Sequence, residues 1–167
     1  MRRLGLACLM GFSLACAGIS EGIVEGLTGQ EITITDDGLE MTLPEDGRVK
    51  VRWGEGLQHP SAIPLQPPSS GQVVAIGEVT FPDKPTSTFA VYDGVNESVD
   101  EVLARYRVSL ETMGLTVTEE NQDGQRSLQA ERGDIMYFVS MDASGTLTLG
   151  VGSKSALEQG IQAQQSI

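Results

Sequence analysis

SVDEVLARYRVSLETMG, residues 98–114, decides the fold class. Val99, Leu103, Tyr106, Leu110 and Met113 recur at helical spacing with Val102 beside them, which gives one apolar face. Ser98 and Glu101 form S-x-x-E, a capping box whose two side chains satisfy amides that a helix start leaves unpaired. Gly114 suits the left-handed residue that closes a helix. The spacing therefore predicts a helix from Val99 to about Met113, and its apolar stripe needs a sheet to lie across.

Working outward, the flanking segments read as strands. Before the helix, Val73, Val74, Ile76 and Val79 suggest one strand and Thr88 to Tyr92 its partner, joined by the stiff turn Phe81-Pro82-Asp83-Lys84-Pro85. After it, Leu115 to Thr118 and Ser127 to Glu131 flank the turn Asn121-Gln122-Asp123-Gly124, and Met136–Met141 with Thr146–Val151 form a last hairpin. Further upstream, Ile32 and Ile34, then Leu39, Met41 and Leu43, then Val49, Val51 and Trp53 alternate with polar residues. Period two with one apolar face means half-buried antiparallel strands. The steps Asp37-Gly38 and Asp46-Gly47 suit the tight turns between them. The expected fold is α+β: an antiparallel sheet with one main helix packed on a face, preceded by a three-stranded β meander.

Sixteen residues, GLQHPSAIPLQPPSSG at 56–71, hold four prolines and separate the meander from the rest. That is long for a structureless loop, so it is expected to cross one face with Ile63 and Leu65 packed against it. The chain thus divides into an export signal at 1–17, a tether or edge segment at 18–30, the meander at 31–55, the proline-rich loop at 56–71, the α+β domain at 72–152 and a tail at 153–167. Whether the meander joins the later sheet is open at this level. The tail carries Ala156, Leu157 and Ile161 at helical spacing, but Gly160 and its glutamines weaken a helix.

MRRLGLACLMGFSLACA, residues 1–17, has a basic start at Arg2 and Arg3, an apolar run from Leu4 to Leu14 and a small-residue exit. These are the parts of a bacterial-type export signal, and the run is short for a bilayer span. Cys16 has two readings. Cleavage after Ala17 would remove it and leave a soluble periplasmic or secreted chain. Alternatively, Ser13-Leu14-Ala15-Cys16 resembles a lipoprotein lipobox, with Ser13 departing from the usual large aliphatic residue. Cys16 would then be the lipidated first residue, and the domain would sit anchored in the cell envelope, in the periplasm or outside.

Without the leader the chain carries 9 cations against 23 anions, and its formal net charge moves from -12 to -14. Such a field favours solubility and opposes nucleic acid, whose phosphates attract Lys and Arg clusters. Both cysteines lie in the leader, so packing alone must stabilise the mature domain.

The strand TSTFAVYDG before the helix and LTVTEENQDG after it, the approach Ile63-Pro64-Leu65 and the leading ITITDDGLEMTLPEDG together resemble uncharacterised small bacterial envelope proteins and lipoproteins. The resemblance covers Gln30 to Gly152 and is architectural. It implies a helix on an antiparallel sheet, and it carries no catalytic residue across.

The residues mostly exclude chemistry. His59 is the only histidine, which excludes a histidine-rich zinc site; it precedes Pro60 in the loop and reads as a lone surface side chain, so no Ser-His-Asp triad is expected. There is no GxGxxG or P-loop pattern, and no cofactor is implied. Asp36, Asp37, Glu45 and Asp46 fall in turns, while Glu97, Asp100 and Glu101 stand at a helix start, where negative charge is favourable in its own right. The leading expectation is a non-enzymatic envelope protein that binds another envelope component or serves as an accessory subunit. Its candidate surface is the sheet face left uncovered by the helix, with Trp53, Ile63 and Leu65, although for Trp53 a core or lid role is the first reading and a partner-facing one the second. Two alternatives are an acidic hydrolase using paired carboxylates and a calcium-stabilised structural module. Pairing of strand edges into a homodimer is physically reasonable.

Overall fold

A computed structural model of the chain describes residues 22–25, 31–43, 45–122 and 125–155. The expected export signal with Cys16, most of the 18–30 segment, Asp123-Gly124 and the tail beyond Ser155 lie outside the described residues. The strands are β1 (Gly22–Glu25), β2 (Glu31–Thr35), β3 (Gly38–Thr42), β4 (Arg48–Trp53), β5 (Gln72–Thr80), β6 (Ser87–Asp93), β7 (Thr116–Gln122), β8 (Gln125–Arg132), β9 (Ile135–Asp142) and β10 (Leu147–Ser153), with, among the described residues, one complete helix, α1 (Val99–Thr112).

All ten strands join one antiparallel sheet in the order β1-β2-β3-β4-β5-β6-β10-β9-β8-β7. The fold is α+β, one helix packed on a multi-stranded antiparallel sheet with an early meander. That meander is continuous with the rest, because β4 pairs with β5 from Arg48↔Thr80 to Trp53↔Ala75. After β6 the chain crosses on α1 to the far edge at β7, and β8 and β9 lead back until β10 closes against β6.

α1 begins and ends as its sequence dictates. Ser98 Oγ accepts from the Glu101 amide at 3.3 Å, and the Ser98 amide donates to Glu101 Oε2 at 3.0 Å. At the other end Gly114 takes φ +75°, its amide donates to Glu111 O at 2.8 Å, and Leu115 N donates to Leu110 O at 3.2 Å. This paired closure satisfies two carbonyls the helix would otherwise leave open. Arg132 of β8 adds a guanidinium bond to Met113 O, placing positive charge at the negative end of the helix dipole.

Cross-strand partners share a face, so the register sorts the side chains. Ile76, Ala90, Leu149, Val139 and Leu128 form a row across β5, β6, β10, β9 and β8 on the helix side. They are buried together with Val102, Leu103, Tyr106 and Leu110 of α1 in the main core. Ile63 and Leu65 of the 56–71 loop belong to the same core, each 2 % exposed, so loop and helix cover one face side by side. A smaller core joins Leu43, Val79 and Phe81 on the opposite side.

Both meander turns differ from the sequence expectation. In the β3–β4 turn the left-handed residues are Glu45 (φ 59°) and Asp46 (φ 57°), not Gly47. Glycine is required at 47 for another reason: a Cβ there would stand 2.5 Å from Phe81 Cε1. Between β2 and β3 the turn is Asp36-Asp37, and Gly38 already lies in the strand opposite Thr35.

Candidate functional site

The face turned away from α1 and the loop carries a second row, Ile34, Leu39, Val51, Gly77, Phe89, Gly150 and Phe138, in consecutive register from β2 to β9. Trp53, Ala75, Val91 and Thr148 run beside it. Phenylalanine alternates with glycine across the middle of the sheet. A Cβ on Gly77 would come within 2.0 Å of Phe89 Cζ, and one on Gly150 within 1.9 Å of Phe138 Cε1. The two rings therefore lie flat over bare backbone, and the surface between them is low and apolar. Ile34, Leu39, Val51, Trp53, Phe89 and Val91 are each half-buried. The one described helix is on the other side of the sheet.

Of the side chains singled out from sequence, only Trp53 belongs to this face. Its indole Nε1 donates to Asp36 O at 2.9 Å and its amide to Asp37 O at 2.9 Å, so it also clamps the β2–β3 turn. Ile63 and Leu65 do not reach the surface; the loop turns them inward because the helix-side sheet offers apolar contact beyond the helix's own width. Cys16 lies outside the described residues. Phe89, Val91, Leu39 and Ile34 were legible as strand residues, but their common face follows from a register that joins the meander to the later strands.

His59 is not a lone surface residue. It is partly buried, its Nδ1 meets the Tyr92 hydroxyl, and its Nε2 lies 3.1 Å from Ile63 O. The loop is held further along by the Tyr106 hydroxyl on Gln66 O at 2.8 Å, by Ser69 Oγ on Glu97 Oε2 at 2.9 Å and by the Asn96 amide on Ser70 Oγ at 2.9 Å. Burial pushes the Tyr106 phenol up to about 12.

The carboxylates at the start of α1 and Glu119 of β7 are engaged in structure. Glu97 is held below its ordinary range by Arg105 and Ser69, and Glu101 by its capping partner Ser98. Glu119 is lowered first by Arg126, which donates to it from Nη2 at 2.6 Å, and then by Arg107. Arg126 also reaches Asp100, so this network ties the start of α1 to the β7–β8 hairpin. A general acid at neutral pH needs the opposite shift. Among the described residues no three of His, Cys, Asp and Glu are grouped to hold a metal ion. No described helix is long and apolar enough to cross a membrane.

The Glu119 network makes acid stability testable. A carboxylate whose folded pKa is depressed stabilises the fold above its unfolded pKa, and that contribution disappears as pH falls through the lower folded value. Thermal melts from neutral pH to below the ordinary glutamate range should show a falling midpoint, and Glu119→Gln should flatten that fall. An equally steep fall in Glu119→Gln would assign acid lability to other groups.

No family model, curated protein or solved structure matches the chain. The resemblance to small envelope proteins therefore rests on the quoted segments alone.

Proposed function

We propose that the chain is an exported bacterial envelope protein that works by binding, as a non-enzymatic recognition or accessory subunit, held at a membrane through lipid on Cys16. The observation that carries the binding reading is the apolar sheet face of Ile34, Leu39, Val51, Phe89, Val91 and Trp53, opposite the helix and loop. A monomeric soluble domain rarely leaves a contiguous apolar face without a use. The downward shifts of Glu97, Glu101 and Glu119 weigh against the acid-hydrolase alternative, and the leader composition supports export.

The test has two arms. The chain expressed with its native leader in a bacterial host should begin at Cys16 with added lipid mass and partition to membranes, and Cys16→Ser should abolish both. On the anchored protein, Val91→Glu places a charge in the middle of the face. Chemical cross-linking in intact cells should then lose the adduct formed by the unmodified chain, while the unfolding midpoint moves by only a few degrees. A chain that begins at Gly18 sinks the anchor, and an adduct that survives Val91→Glu sinks the face.

A further inference from the structure

We propose that His59 and Tyr92 form a latch that holds the 56–71 loop over the helix-side core and lets its first half go when His59 takes up a proton. The hydrogen-bond pattern fixes the neutral tautomer. A carbonyl can only accept, so His59 Nε2 carries the hydrogen that meets Ile63 O at 3.1 Å. Nδ1 is then bare and accepts from the Tyr92 hydroxyl. Both ring nitrogens and the phenol of Tyr92, a residue 2 % exposed, are satisfied in this one arrangement.

A proton on Nδ1 breaks the pattern. Nδ1 becomes a donor, and the Tyr92 hydroxyl must turn its hydrogen elsewhere in a buried site, where an unmatched donor is costly. Tyr92 has no escape by ionising, because burial raises its phenol far above its ordinary value. Histidine is the side chain whose charge ordinarily changes on mild acidification.

The surroundings confine the effect to one half of the loop. Residues 56–71 contain no Asp, Glu, Lys or Arg, so His59 is the one group through which mild acid acts on the loop directly. From β6 the titratable group facing it is Tyr92. From α1, Tyr106 interacts electrostatically with Tyr92, and Arg105 and Glu97 stand beside Tyr106. Glu97 keeps its charge in mild acid, being held below its ordinary range by Arg105, so its bond from Ser69 persists. The Tyr106–Gln66 and Asn96–Ser70 bonds are likewise indifferent to mild acid. Residues 66–70 therefore stay fastened while Leu57 to Leu65 lift, baring the apolar side chains of Leu57, Ile63 and Leu65.

The test uses the full chain with Cys8→Ser and Cys16→Ser, so that a thiol introduced by Leu65→Cys is the only one present. Its labelling by a dithiodipyridine reagent, which reacts with thiols in acid, is compared at about pH 7.5 and about pH 5. Each rate is normalised to the urea-unfolded chain at the same pH. Protection should fall about tenfold on acidification, the size expected for one buried donor left unmatched. His59→Gln should show the same protection at the two pH values, and Tyr92→Phe should be weakly protected at both. Protection that does not change with pH, or a pH dependence that survives His59→Gln, overturns the latch. If Leu65→Cys does not fold, Ile63→Cys reads the same motion from the other side of Pro64.

Discussion

Tyr106→Ala is expected to cost about 3–5 kcal/mol of folding stability, the range for deleting a large buried aromatic side chain. Tyr106 is 1 % exposed and sits at the centre of the apolar stripe of α1, between Leu103 and Leu110. Its ring packs in the main core while its hydroxyl donates to Gln66 O at 2.8 Å, so one side chain fastens both the helix and the second half of the loop. Tyr106→Phe separates the two roles: it keeps the ring and removes one hydrogen bond, a loss of about 1 kcal/mol. Chemical denaturation of the two variants beside the unmodified chain provides the measurement. Equal losses would mean that the hydroxyl rather than the ring carries Tyr106's contribution, contrary to its place in the core.

Gly150→Val is the second large effect, and here two forces oppose each other. Valine is the better strand residue, and replacing an interior strand glycine by a side chain would by itself gain about 0.5–1 kcal/mol. Against this, the new Cβ falls 1.9 Å from Phe138 Cε1 and 2.3 Å from its Cζ. Phe138 is 6 % exposed and has little room to turn away. Forcing side chains into a filled site costs about 1–3 kcal/mol, occasionally more, so the clash wins and the variant is destabilised. The diagnostic is the pair: in a Phe138→Ala chain the ring is gone and Gly150→Val should become neutral or favourable, a strong coupling of the kind adjacent residues show. Additive effects would mean that the ring does not lie over Gly150.

The same pair explains why the candidate face was only partly readable. Phe89 and Phe138 lie in segments whose pattern reads as strand, but nothing in the neighbouring sequence marks glycines 77 and 150 as their partners. Each glycine meets its ring within a hairpin, Gly77↔Phe89 in β5–β6 and Gly150↔Phe138 in β9–β10, but the continuous row needs the register Phe89↔Gly150, which joins strands far apart in the chain. Ile63 and Leu65 were legible as residues that pack, and with the loop in place both are buried in the core. The structure gives them to the core, because the loop lies beside the helix and not on the opposite face. His59 was read as solvent-facing because its partner, Tyr92, is 33 positions away on β6 and no local pattern announces it.

The features readable from residue spacing are local. Ser98, Glu101 and Gly114 set where α1 begins and ends, because capping is satisfied within a few residues of the terminus. The alternation at Ile32–Ile34, Leu39–Leu43 and Val49–Trp53 set the meander strands, because a pleated backbone sends successive side chains to opposite faces. The leader's composition supplied the expected address. Which elements meet is visible only in the folded chain: β4 pairs with β5 and makes one ten-stranded sheet, β10 inserts between β6 and β9, helix and loop share a face, and the other face is left apolar. These follow from long-range pairing and from competition for a finite buried area, and neither is encoded in the spacing of neighbouring residues.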